Sequence, residues 1–96
     1  MAQSRKRRPE RADQYESPAY HDLQARLAAA VRHLREVKGW TQEEAAHRCG
    51  MTTRLLQRVE GEDVNATFTT LARLCGGFEV DVAQLFQRSP SAKHET

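Results

Sequence analysis

Apolar residues recur along this chain at helical intervals, interrupted by short polar or glycine-containing breaks. Leu23, Leu27, Val31 and Leu34 stand four, four and three residues apart, one stripe of an amphipathic helix. Ala25, Ala28, Ala29 and Ala30 add strong helix formers. Ser17-Pro18 offers an N-cap followed by a proline whose missing N–H is harmless in the first turn. Lys38-Gly39 supplies a cation for the last turn and then a stop. The pattern predicts a first helix over 18–38.

Four shorter helices follow. Thr41-Gln42-Glu43-Glu44 is a capping box, in which the Thr41 hydroxyl and the Glu44 carboxylate reciprocally satisfy backbone amides. It predicts a second helix over 42–48, ended at Gly50, where left-handed backbone meets no side-chain clash. Thr52 caps a third, 53–60, which buries Leu56 and Val59 and stops at Gly61. Thr67 caps a fourth, 68–75, with Phe68, Leu71, Ala72, Leu74 and Cys75 apolar and Gly76-Gly77 as its end. Asp81 caps a fifth, 82–87, with Val82, Leu85 and Phe86 facing inward. No strand pattern emerges. The expected core is Leu23, Leu27, Val31, Leu34, Ala46, Met51, Leu56, Val59, Phe68, Leu71, Leu74, Val80, Leu85 and Phe86. That is thin for about 70 ordered residues, so self-association would help stability.

Composition narrows the class. With 39% apolar and 29% charged residues, the 96-residue chain reads as one small soluble domain. No apolar run approaches the roughly 20 residues that span a bilayer. MAQSRKRRPER lacks the apolar stretch of a secretory signal, so a cytoplasmic location is expected. Cys49 and Cys75 sit within apolar patterns and read as reduced, buried thiols. A net charge of +2 is too small for electrostatic gluing to nucleic acid, so the placement of charge matters more than its sum.

The segment TQEEAAHRCGMTTRLLQRVEG, 41–61, meets the demands of a two-helix unit that carries side chains into the DNA major groove. A small residue belongs where the helices cross, and Ala46 is there. The turn requires tolerance of positive φ, which Gly50 provides. Ala45, Cys49, Met51, Leu56 and Val59 supply apolar locks. These motifs, with Val59-Glu60-Gly61 closing the third helix and the run Phe78-Glu79-Val80-Asp81-Val82-Ala83-Gln84-Leu85-Phe86, resemble the lambda-repressor-like helix-turn-helix family of Cro and phage repressors, the XRE type. The resemblance spans 23–86. Ala45 departs from it, because the family usually carries a larger aliphatic residue there.

The resemblance implies roles for individual residues. Gln42 would bond a DNA phosphate at a helix N-terminus. Thr52, Thr53, Arg54, Gln57 and Arg58 would form the DNA-contacting set, Arg being suited to guanine and Gln to adenine. On an isolated helix Arg54, Gln57 and Arg58 would read only as a solvated face. Arg35 and Glu60 would form an ion pair that orients the third helix. Glu62 and Asp63 depart from the pattern, since carboxylates beside phosphates are unfavourable unless they point away or pair with arginine. Leu55 reads as semi-buried, with contact to a thymine methyl or to Phe68 as alternatives.

Other features carry less. His47 and Cys49 are too few for a metal site, Asn65-Ala66-Thr67 matches a glycosylation sequon without a secretory signal, and Trp40 reads as a semi-exposed staple. Neither a cofactor site nor a catalytic constellation is apparent, so no enzyme is expected. Arg5, Lys6, Arg7 and Arg8 form a basic cluster that serves either as a phosphate-contacting arm or as a solubilising end. A nuclear-localisation cluster fits poorly with the bacterial or phage character of the remainder. The expectation is an all-α, compact five-helix lambda-repressor-like DNA-binding domain at 18–87, with a disordered basic N-terminal tail, 1–17, and a flexible C-terminal tail, 88–96. Its expected function is sequence-specific transcriptional regulation, as a repressor, by a homodimer on double-stranded operator DNA with an inverted repeat. Two alternatives stand beside it: an antitoxin-type or adaptor protein with a protein partner, and a scaffold that has lost DNA binding.

Overall fold

Among the described residues, each helix starts on a side-chain oxygen that accepts a hydrogen bond from an otherwise orphaned amide of its first turn. Ser17 accepts from Tyr20, Thr41 from Glu44, Thr52 from Leu55, Thr67 from Thr70 and Asp81 from Ala83. The computed structural model describes residues 17–88 and, among these, comprises five helices and no strand. They are α1 (Pro18–Lys38), α2 (Gln42–Cys49), α3 (Thr53–Glu60), α4 (Phe68–Phe78) and α5 (Val82–Leu85). The expected tails, including the basic cluster Arg5, Lys6, Arg7 and Arg8, lie outside the described residues, apart from Ser17 and Arg88. Among the described residues no helix is long and apolar enough to cross a membrane.

One core holds the five helices. Leu27 and Val31 of α1 meet Ala45, Ala46 and Cys49 of α2, Leu56 and Val59 of α3, Leu74 and Phe78 of α4, and Leu85 of α5. Burying each larger side chain stabilises the fold by about 1.5–3 kcal/mol. Ala45 is fully buried, so a short side chain at that position lets α2 sit close to its neighbours. Trp40, half-buried in the α1–α2 turn, stacks on Phe78 with ring centroids 5.5 Å apart, and the Arg48 guanidinium lies 4.8 Å over its ring.

Several expectations need correction. Gly76-Gly77 does not end the fourth helix, which continues to Phe78 and closes at Glu79 with φ 59°. The reason lies in α2: a Cβ on Gly77 would collide with the Cys49 sulfur and lie 2.7 Å from Cys49 Cα and 2.9 Å from the Arg48 carbonyl oxygen. Gly77 is therefore a point of close helix approach. The second helix runs one residue further than expected, to Cys49, and α5 stops at Leu85, where the Phe86 amide tightens onto the Ala83 carbonyl at 3.2 Å. Three supposed inward-facing residues are not buried. Phe68 is 89% exposed, Leu23 49% and Val82 48%: Phe68 and Val82 are the first residues of α4 and α5, and Leu23 borders an open apolar groove with Leu27, Leu71 and Phe86.

Candidate nucleic-acid interface

Helix α3 divides sharply between anchor and surface. Leu56 and Val59 are buried, whereas Arg54, Gln57 and Arg58 are exposed, as is the capping residue Thr52. Thr53, expected on the outward face, is half-buried at the start of the helix. Leu55 is half-buried beside Met51 in a hollow shared with His47 and Arg73. Arg54, Gln57, Arg58, Gly61 and Asp63 line one open, polar hollow along the outward side of α3. The fold thus brings three of the four long polar side chains of this helix together on one solvent-facing surface, with Glu60 the buried exception.

The C-terminal end of α3 is fixed from behind. Glu60 is only 6% exposed, and Arg35 from α1 meets it in a two-pronged arrangement, Nε to Oε2 at 2.7 Å and Nη2 to Oε1 at 3.2 Å. Such forked geometry is among the strongest side-chain contacts available to a carboxylate. The hydrogen bond to Glu60 raises the Arg35 pKa above its ordinary value, against an opposing effect of burial. Arg35 Nη1 also donates to the Trp40 carbonyl at 3.1 Å, so one guanidinium ties α1, the following turn and α3 together. Arg32, one helical turn earlier, donates to the Glu60 main-chain carbonyl, a favourable site for a cation at a helix C-terminus. Sequence reasoning missed Arg32, although its i,i+3 spacing from Arg35 puts both on one face of α1.

Gln42 has a second set of partners that the motif did not suggest. Its Nε2 donates to Glu60 Oε1 at 3.0 Å, and its Oε1 accepts from Gln57 Nε2 at 3.3 Å. A line of hydrogen bonds therefore runs from Arg35 through Glu60 and Gln42 to the exposed Gln57. Arg58 is also engaged: its Nε donates to the Asp63 carbonyl at 3.0 Å and lies 3.8 Å from the Asp63 carboxylate. One of the two loop carboxylates thus lies beside an arginine of the outward face. Glu62 adopts φ 59° in the turn that leads there.

Other chemistry is sparse. Burial pushes the Cys49 thiol up to about 11, and both cysteines are unbridged. Among the described residues no three metal-ligating side chains gather in one place.

Comparison with known proteins places this geometry. The model of the helix-turn-helix domain matches residues 26–86. A hypothetical transcription factor of Neisseria meningitidis serogroup B (strain ATCC BAA-335 / MC58) is 34% identical over 70 residues, and the match spans 73% of this chain and 66% of the relative. The crystal structure of the hypothetical transcription factor NHTF from Neisseria superposes with a TM-score of 0.68 at 31% identity, covering 77% of this chain and 82% of that one. The clp gene regulator ClgR from Corynebacterium glutamicum gives 0.60 at 28% identity, over 66% of this chain and 67% of that one. An HTH_3 family transcriptional regulator from Vibrio cholerae shares the fold, with a TM-score of 0.63 at 22% identity over 67% of this chain and 36% of the other. By the extent of the domain match and the arrangement of its helices, the chain belongs to the helix-turn-helix domain family, in the five-helix lambda-repressor-like form.

Proposed function

We propose that this protein is a DNA-binding transcriptional regulator that reads sequence with the outward face of α3. The observation that carries the reading is the pairing of an exposed Arg54–Gln57–Arg58 face with a helix end locked by Arg35 and Arg32. A reader needs both polar groups for base edges and a backbone that holds them in register. Its relatives carry the names transcription factor and gene regulator, which supports the same reading.

In the finer form of this proposal the protein is a repressor that acts as a homodimer. Each α3 lies in the major groove of one half-site of an inverted repeat, with half-sites about 34 Å apart. Gln42 and the α2 N-terminus approach the backbone, and Arg5, Lys6, Arg7 and Arg8 act as an arm along the phosphates. In this reading a second copy of the chain seats against the apolar groove of about 220 Å³ bordered by Leu23, Leu27, Leu71 and Phe86, and in the alternative reading the partner of an adaptor or antitoxin-type protein takes that place.

Selection of bound fragments from genomic DNA tests the function. Wild type is expected to enrich a symmetric site, while Arg54→Ala and Arg58→Ala lose that preference. Equal, weak and sequence-independent capture by all three would overturn it. Deleting residues 2–11 tests the arm, which is expected to contribute about 0.9 to the salt-dependence slope for each charge neutralised. An unchanged slope eliminates it.

A further inference from the structure

The line of hydrogen bonds from Arg35 to Gln57 has a direction that chemistry fixes. The Glu60 carboxylate can only accept, and Arg35 already donates to both of its oxygens. Gln42 can therefore approach Glu60 only with its NH2 group, as the 3.0 Å contact requires. That leaves the Gln42 carbonyl oxygen facing α3. An oxygen cannot bond another oxygen, so Gln57 must present its own NH2 to it, as it does at 3.3 Å. The polarity of each amide follows from the acceptor-only group at the buried end, whichever way an isolated amide would be drawn.

We propose that Glu60, acting through Gln42 as a positioning residue, sets the orientation of the Gln57 carboxamide and thereby makes Gln57 selective for adenine. One Gln57 N–H is held by Gln42. With Gln42 holding the N–H that points away from the amide's own oxygen, the remaining N–H and the carbonyl oxygen form one edge, a donor beside an acceptor. Adenine offers the complement in the major groove, an N7 acceptor beside an N6 donor, whereas guanine offers two acceptors, N7 and O6. Against guanine the fixed Gln57 oxygen would face an acceptor, and Gln57 cannot turn over without breaking its bond to Gln42. This assignment rests on the proposed DNA-reading function and adds to it a base and a mechanism for choosing it. It also gives Gln42 a role that differs from phosphate contact in its consequence, because a phosphate contact weakens all sequences alike.

The test uses the full-length protein and a randomised double-stranded DNA pool, with base preference measured at each position for wild type, Gln42→Met, Gln57→Met and the double variant. Wild type is expected to prefer adenine over guanine at one position per half-site by about tenfold or more. Gln42→Met is expected to lose most of that preference at that position alone, with other positions unchanged, and the double variant to match Gln57→Met. A Gln42→Met protein that binds every sequence more weakly while keeping its adenine preference overturns the positioning role and leaves DNA reading intact. A wild type that selects no sequence overturns both. Nuclear magnetic resonance supplies a readout without DNA: the Gln57 side-chain amide proton held by Gln42 is expected to lie downfield in wild type and to move to the free-glutamine position in Gln42→Met. Unaltered Gln57 amide resonances in that variant, with its melting temperature retained, would also overturn the proposal.

Discussion

Two helices of this protein are held in place by opposite means. The far end of α3 is gripped by long side chains, Arg35 forking onto Glu60 and Arg32 reaching its carbonyl. The far end of α4 is seated on α2 by the lack of a side chain, with Gly77 lying against Cys49 and the Arg48 carbonyl. The first arrangement sets an angle through directional bonds and leaves the outward face free to vary. The second fixes a distance through backbone contact and tolerates almost no change. The helix proposed to read DNA is better served by the first kind of attachment, a supporting helix by the second.

The largest expected effect comes from cutting the bonded attachment. Glu60→Ala leaves Arg35 without its main partner and is expected to destabilise the fold by about 3 kcal/mol. Because it also releases α3, DNA affinity is expected to fall with it. Thermal unfolding and a binding titration check both, and an unchanged melting temperature would remove Glu60 as the anchor. The packed attachment is tested by adjacent glycines with opposite signs. Gly77→Ala forces α2 and α4 apart and is expected to cost about 1–3 kcal/mol. Gly76→Ala, whose added carbon meets nothing within 4 Å, is expected to stabilise the helix by about 0.5–1 kcal/mol. Equal effects in denaturant unfolding would mean that the seam is not where α4 is held.

Two smaller effects sharpen the contrast. Asp63 is largely exposed beside Arg58, so Asp63→Asn is expected to alter stability little. Removing its charge from a surface that would face phosphates is expected to tighten DNA binding about two- to fivefold, read in a titration at fixed salt. At the seam, the Cys49 thiol titrates near 9.0 when freely exposed and at about 11 in the fold. Between those values the unfolded chain holds fewer protons, so stability is expected to fall as pH rises from about 9 to about 11. A Cys49→Ala variant is expected to show a shallower fall over that window in a pH series of unfolding curves.

Helix starts were legible in the sequence because each is written in one residue and the two or three that follow it. Thr41, Thr52 and Thr67 announce themselves without reference to anything distant. Helix ends were less so. Gly50 and Gly77 look alike in a sequence, yet one takes the left-handed turn at φ 69° and the other lies inside a helix, and only the position of Cys49 tells them apart. The spacing of Phe68 from Leu71 and that of Leu23 from Leu27 suggested burial. Periodicity reports the face of a helix, but not whether a neighbour extends far enough to cover each position on it. The exposed positions of α3 could be named from their motif. The bonds that join Gln57 to Gln42 and Arg58 to Asp63 could not, because side-chain partners across 15 and 5 residues depend on how the turns place them.

The self-contained start of each of the five described helices has a kinetic consequence. Five nuclei, each with its own amide acceptor, can form before any distant part of the chain arrives. Most of the search for the native state is thereby shifted to short segments, and helical folds dominated by local contacts fold in roughly microseconds to milliseconds. A chain built in this way is expected to acquire its structure almost as soon as synthesis releases it, with little time in which bare apolar stripes are available to other molecules.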